Sequence, residues 1–183
     1  MELTFRQGTA DDIPALKSLW KQCFPDDTDS FIDAFFGVVP VTRCLVACKG
    51  EPLSVLFLLT ATVAYKDTTI PVRYLYAGCT HPEHRRQGIY EKLISYAGMY
   101  AASAGAAAIY LHPADDSLRE YYKMRGYRDG ISCPESRLAK AICRHRQQTV
   151  MLPLYATLCW QVKSSTPPFG DWTSLMNPSF GRI

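Results

Sequence analysis

The residues of this sequence whose types and spacing could do chemistry run Tyr76-Ala-Gly-Cys-Thr-His-Pro-Glu-His-Arg-Arg-Gln-Gly-Ile-Tyr90. A strand reads to Thr80, Pro82 stops it, and a basic turn containing Gly88 opens straight into a helical pattern. In physical terms that is an anion site. The first N–H groups of a helix have no internal partner and carry the positive end of its dipole. Gly88 lets the backbone come close to a bound group, and Arg85 and Arg86 add full charges, so a diphosphate is the natural guest. A merely solvated turn would explain one glycine and two arginines. It would not explain the second element downstream, Leu111-His-Pro-Ala-Asp-Asp-Ser-Leu-Arg-Glu-Tyr-Tyr-Lys-Met-Arg-Gly-Tyr127.

Together the two segments resemble the GCN5-related N-acetyltransferases (GNAT). The acetyl-CoA motif of that family runs Val-x-Pro-x-x-Arg-x-x-Gly-x-Gly/Ala, and the stretch from Thr80 to Tyr90 matches it at Pro82, Arg85 and Gly88. Thr80 stands where valine is common, and Tyr90 where a small residue is. The family's Leu-Tyr-x-x-x-Gly-Phe helix end is similar to Tyr121-Tyr122-Lys-Met-Arg-Gly126-Tyr127. The resemblance covers about residues 1 to 128 and implies acetyl-CoA as acyl donor. By the same resemblance, the backbone of Cys79, Thr80 and His81 would bond the pantetheine arm. The N–H groups of Arg85, Arg86, Gln87, Gly88, Ile89 and Tyr90 would cradle the pyrophosphate, with the bulky side chain of Tyr90 turned away. Asp115 would lie near the cofactor arm.

The implied activity is N-acetyl transfer to a primary amine by direct attack, with Tyr122 protonating the departing CoA thiolate. The amine must first lose a proton, since an alkyl ammonium has a pKa of about 10, and a tyrosine hydroxyl can return one to the thiolate. The alternative is a non-catalytic acyl-CoA-binding or regulatory module with the same fold. The base is not legible: Glu83, His81, His112, a water chain and the carboxylate of Ile183 all compete. Cys79 and His81 alternate onto one face of a strand, which allows a covalent acetyl-cysteine route. Backbone contact and core packing account for Cys79 more economically.

These residues need elements to position them. Leu3 to Arg6 alternates as a short strand, and Thr9 with Asp12 has capping-box spacing before Ile13, Leu16, Leu19, Trp20 and Cys23, a helix to about Gln22. Pro14 is tolerable in the first turn. A second helix is expected from Ser30 to Val38 with Phe31, Ile32, Phe35 and Phe36 inward, and the aspartates 26, 27 and 29 fit N-cap duty. Strands at Arg43–Cys48, Leu53–Ala64 and Ile70–Cys79, with only turns between, make an antiparallel meander. Then Ile89, Leu93, Ala97, Tyr100 and Ala104 form one helical stripe that Gly105 ends. A strand at Ala107–Leu111 and a helix at Ser117–Met124 complete a βαβα unit with parallel pairing. The fold class is therefore mixed α/β. By the resemblance it is a mostly antiparallel central sheet, splayed between its fourth and fifth strands and flanked by helices.

Composition bounds the rest. The 183 residues are 48% hydrophobic and 20% charged, which excludes a disordered chain and favours one domain. We read residues 1–183 as a single domain, with 1–128 its core. Residues 129–183 are an extension of acceptor-side strands, one at Thr149–Tyr155, and a loop-rich tail. The longest apolar run, Pro52 to Ala64, is far short of the ~20 residues that span a bilayer. With Glu2, Arg6, Asp11 and Asp12 at the start, a cytoplasmic, membrane-free protein is expected. A net charge of +3 is too mild for nucleic acid despite basic groups at His84–Arg86 and Arg144–Arg146. The expected partner is a small-molecule or peptide amine, with a homodimer left open. Seven cysteines include no Cys-x-x-Cys pair, so free thiols and no metal site are expected. Trp160, Pro167, Pro168, Phe169, Trp172, Met176 and Phe180 suggest a tail folded over apolar surface.

Overall fold

Gly50, at φ 88°, closes the first hairpin between Lys49 and Glu51, a left-handed position that glycine fills without strain. From there the computed structural model, which describes residues 2–65, 67–132 and 149–153, follows the expected order. The elements are β1 (Thr4–Gln7), α1 (Ile13–Cys23), α2 (Asp29–Val38), β2 (Cys44–Lys49), β3 (Glu51–Tyr65) and β4 (Thr68–Thr80). They continue with α3 (Ile89–Ser103), β5 (Ala108–Tyr110), α4 (Asp116–Lys123), β6 (Tyr127–Ser132) and β7 (Thr149–Pro153). The main sheet has the order β1-β2-β3-β4-β5, antiparallel throughout except for the parallel β4–β5 pair. A helical crossover, α3, is what permits that parallel pair. β6 and β7 form a separate antiparallel ribbon, with β7 beside β5.

The central stretches of β2 and β3, Cys44–Cys48 and Val55–Leu58, are unbroken apolar runs because both faces of the sheet are covered there. Leu45, Ala47, Leu56 and Leu58 pack with Leu93, Ile94 and Ala97 of α3 on one face. Cys44, Val46, Cys48, Val55 and Phe57 pack with Leu16, Leu19 and Trp20 of α1 and Ile32 of α2 on the other. Burial of Leu93 and Ile94, worth roughly 1.5–3 kcal/mol each, carries α3 past its interior Gly98.

Local differences from the sequence reading have physical causes. Thr9 and Asp12 do join, the Asp12 carboxylate accepting from the Thr9 N–H at 2.8 Å, but they open a 3-10 turn at Ala10–Asp12 that runs into α1. Asp12 is also gripped by both nitrogens of Arg6, at 2.6 and 2.8 Å. Thr28, not an aspartate, caps α2, accepting from the Phe31 N–H at 3.2 Å. Asp27 instead accepts from the Trp20 indole at 2.7 Å, and Asp29 pairs with Lys21 at 3.3 Å. Phe31 is 43% exposed and does not join the core as expected. The buried stripe of α3 ends at Ala101; Ala104 is exposed at the C-cap before Gly105, at φ 75°. Among the described residues no helix is long and apolar enough to cross a membrane. Residues 154–155 of the last predicted strand, the aromatic tail, Ile183, Arg144–Arg146 and the last three cysteines lie outside the described residues.

Candidate active site

β4 leaves β5 early. The parallel ladder joins Val72, Arg73 and Tyr74 to Ala108, Ile109 and Tyr110 and stops, while β4 continues to Thr80. Opposite β3, β4 carries a bulge: Tyr76 pairs Phe57 and Cys79 pairs Val55, so Ala77 and Gly78 together face Leu56. Ala77 adopts φ 48°, a left-handed conformation uncommon outside glycine. A Cβ on Gly78 would collide with the hydroxyl of Tyr90 and come within 2.8 Å of its Cζ. Gly78 is thus the space that admits Tyr90.

The Tyr90 side chain turns into the protein. Its hydroxyl lies 2.9 Å from that of Tyr122, and either can donate. Tyr122 is 7% exposed and stands edge-on to Tyr121 and Tyr127. Burial pushes its hydroxyl up to about 12, with the Tyr90 bond pulling the other way, and burial holds Tyr90 well above its ordinary value. Both are protonated at neutral pH. Arg125 ties this corner together: it donates to the Tyr121 carbonyl at 2.9 Å and to Glu91 of α3 at 3.0 Å, and stacks 3.5 Å over the Tyr121 ring.

The loop from β4 to α3 is built as the sequence suggested. Pro82–His84 is a 3-10 turn in which His81 Nδ1 accepts from the Glu83 N–H at 3.3 Å. Gln87 closes the loop by donating to the Glu83 carbonyl at 3.3 Å. Arg86 at φ 62° and Gly88 at φ 70° are both left-handed, the alternation that turns successive N–H groups toward one side. The first bond within α3 runs from the Lys92 N–H to the Gly88 carbonyl, so the N–H groups of Ile89, Tyr90 and Glu91 precede the ladder. The side chain of Ile89 is buried in the core, and those of Arg86 and Gln87 are exposed. Beside the loop lies a groove of about 490 Å³ lined by Leu3, Lys49, Leu53, Glu83, His84, Gln87 and Ile89.

Other predicted residues have additional occupations. Arg85 folds back onto the end of β4: its Nε donates to the Thr80 carbonyl at 3.1 Å and its Nη2 reaches Cys23 Sγ at 3.7 Å. Ser54 donates to the Cys79 carbonyl at 2.8 Å and meets the Thr80 hydroxyl at 2.8 Å, and the His81 N–H donates to the Leu53 carbonyl at 2.8 Å. The end of β4 is thereby held from the β3 side. Asp115 caps α4, accepting from the Leu118 N–H at 2.8 Å and the Ser117 hydroxyl at 2.7 Å. Of the base candidates, Glu83 is exposed on the loop and His81 is half-buried at the strand end. His112 is half-buried beyond β5, edge-on to Tyr74 and Tyr110, and Nδ1 has no hydrogen-bond partner among the described residues. Burial holds its imidazole below the ordinary value, hence neutral. Tyr74 and Tyr110 stack at 4.8 Å where the strands part.

Sequence reasoning missed Gly78, Ser54 and the Tyr90 hydroxyl. An isolated glycine inside a strand was the available signal, since it marks a bulge or a close approach. Ser54 and Tyr90 gave no signal of their kind, because their partners come from other elements.

Residues 4–129 match the family model described as an acetyltransferase (GNAT) domain. None of the curated proteins matches this chain. Among solved structures, a GCN5-related N-acetyltransferase from Anabaena variabilis aligns with TM-score 0.64 and 18% identity, over 72% of this chain and 33% of that one. N-acetylglutamate synthase from Neisseria gonorrhoeae, complexed with coenzyme A and N-acetyl-glutamate, aligns with TM-score 0.59 and 15% identity, over 84% and 35% of the two chains. An acetyltransferase of Corynebacterium glutamicum, described as histone acetyltransferase HPA2 and related, aligns with TM-score 0.62 and 17% identity, over 92% of this chain and 100% of that one. The chain spans about a third of the length of the first solved structures it resembles. With the parting strands, the bulge and the N–H-lined turn in one place, and the family model over most of its length, this chain belongs to the GNAT acetyltransferase family.

Proposed function

We propose that this protein transfers an acetyl group from acetyl-CoA to a primary amine by direct attack, with Tyr122 protonating the CoA thiolate. The observation that carries the reading is the buried Tyr122 hydroxyl, bonded to Tyr90 over the β4 bulge, at the place where β4 and β5 part. Acetyl-CoA would supply an electrophilic thioester carbon and a thiolate leaving group. The residues present fit it. The N–H groups from Arg86 to Tyr90 suit a pyrophosphate, that of Arg85 being turned to the Pro82 carbonyl at 3.4 Å, and the flanking groove with Lys49 suits the nucleotide end. The free side of β4 at Cys79, Thr80 and His81 suits the amide-bearing arm, and Asp115 would adjoin that arm from the start of α4. A backbone N–H of the Ala77–Gly78 bulge would steady the thioester oxygen as charge grows on it.

Tyr122 must remain protonated until the thiolate forms, and burial keeps it so. Tyr90 can replenish that proton through the shared hydrogen bond. His112, neutral and beside the seam, is suited to take the proton the amine must lose before attack. The acceptor would approach over Tyr74 and Tyr110. Residues 1–183 would act as a single domain whose segment 129–183 contributes to the acceptor side.

The test is thiol release over a panel of amines, with acetyl-CoA binding followed by calorimetry. Tyr122→Phe is expected to lower kcat by about 10²–10⁴-fold while cofactor affinity holds. His112→Gln is expected to abolish the rise of kcat from acid toward neutral pH that titration of a neutral base produces. Equal kcat in Tyr122→Phe would remove its assigned role. Binding without turnover on any amine would make the protein an acyl-CoA-binding module instead.

A further inference from the structure

The helix that carries Tyr122 is weakly anchored by packing. Of the eight residues of α4 only Tyr122 is buried, and Leu118 is 38% exposed. A helix ordinarily takes its orientation from an apolar face pressed on the core. Here side-chain bonds must supply it. Arg119 ties the first half of α4 to Asp129 of β6, its Nε and Nη2 donating at 2.8 and 2.7 Å. The last turn is held by Arg125. Its Nη1 donates back to the Tyr121 carbonyl at 2.9 Å, its Nη2 donates to Glu91 of α3 at 3.0 Å, and its guanidinium lies over the Tyr121 ring. That ring lies 6.4 Å from the Tyr90 ring and 5.4 Å from the Tyr122 ring, and the Tyr90–Tyr122 hydroxyl contact closes the set.

Stability alone does not account for Arg125. The Glu91 side chain is 53% exposed, and so exposed an ion pair adds little. Arg125 Nε is buried without a hydrogen-bond partner among the described residues, which costs stability. What the planar fork does supply is a fixed geometry between two helices. The Tyr122 hydroxyl stands at the far end of a long side chain, so a small rotation of α4 is magnified there.

We propose that Arg125 is a positioning residue, which fixes the last turn of α4 against α3 so that the Tyr122 hydroxyl is held on Tyr90 and aimed at the departing thiolate. Its consequence for catalysis rests on the acyl-transfer reading above; the hold on the hydroxyl does not. The charge acts in the same sense. Burial pushes the Tyr122 phenol up, and the nearby guanidinium opposes that push, which eases release of the proton.

The first test needs no turnover. The full chain carrying tyrosine labelled with 13C at Cζ is followed by NMR, the Tyr122 signal being assigned by its loss in Tyr122→Phe. Tyr90→Phe gives the position of that signal without the hydroxyl bond. Arg125→Met is expected to move the Tyr122 signal most of the way to that position and Glu91→Ala part of the way. The double variant should move it no further than Arg125→Met. Unmoved Tyr74 and Tyr110 signals report that the fold persists. A Tyr122 signal that stays in place in Arg125→Met overturns the proposal; should that variant fail to fold, Glu91→Ala decides by the same criterion.

The second test reads kcat on the best amine of the panel. Arg125→Met should lower it about 10–100-fold with acetyl-CoA affinity unchanged by calorimetry. The defect should shrink several-fold with an acetyl donor that releases a thiophenol, whose thiolate needs less protonation. An equal defect with both donors, or a lost cofactor affinity, would leave Arg125 a merely structural role and overturn the positioning one. If the wild-type chain turns over no amine, the acyl-transfer reading falls, and the NMR result still decides whether Arg125 holds the hydroxyl.

Discussion

From Val72 to Tyr74, β4 is hydrogen-bonded on both sides; from Leu75 to Thr80 it keeps β3 and has left β5. The two reaches share one strand and one cover, α3, yet their demands differ. In the paired reach Val72 and Ile109 are core residues, at 2 and 1% exposure. In the parted reach a bulge, a non-glycine residue at positive φ and a glycine pressed by a tyrosine follow one another. Backbone groups that lose a ladder partner need another one. A strand that parts from its neighbour therefore offers a ready edge to an extended, amide-bearing ligand, and the polar side chains gather around that edge.

Perturbing each reach separately sharpens this contrast. Ile109→Ala in the paired reach should cost about 2–5 kcal/mol of stability, read by urea denaturation, while the folded fraction binds acetyl-CoA as before. A large loss of affinity there would break the distinction. Gly78→Ala in the parted reach should cost less, about 1–3 kcal/mol, but should weaken cofactor binding as well, because Tyr90 must give way. Tyr90→Leu in the same chain should recover part of both losses. Purely additive effects would show that the predicted collision does not govern the site.

The smallest effect is expected away from both reaches. Arg6 holds the Asp12 carboxyl well below the usual carboxylate range. A depressed carboxyl stabilises the fold fully above its ordinary pKa of about 4, and that contribution fades as pH falls through the folded value. Asp12→Asn should therefore lower the Tm at neutral pH, by an amount near 1 kcal/mol since Arg6 is 41% exposed. The difference from wild type should shrink in acid. Native-state hydrogen exchange in this variant should loosen both reaches of β4 equally if they unfold together, and unequally if the parted reach opens alone.

Much of the architecture was legible because its causes are local. Gly50 between two apolar runs makes a hairpin, Pro82 ends a strand, Gly88 and Gly105 bracket a helix, and unbroken apolar runs at Leu45–Ala47 and Val55–Leu58 mean a sheet covered on both faces. Errors came where a distant partner decides. Phe31 fits an inward helical spacing, but Trp20 is already surrounded by Phe24, Phe35, Phe36, Phe57 and Tyr76, leaving Phe31 at the rim. The aspartates near residue 27 looked like caps until the Trp20 indole and Lys21 claimed them.

The sequence by itself determined the order of the elements, the parallel crossover through α3 and the turn that leads from β4 into α3, since turn chemistry, periodicity and a helix start each act within a few residues. Only the tertiary structure decided that Arg85 reaches Cys23, and that Tyr90 fills the space left by Gly78 and meets Tyr122. Those contacts join residues 12 to 62 positions apart in the chain. No local rule reaches that far: they exist because packing on the two faces of the sheet brings separate elements together.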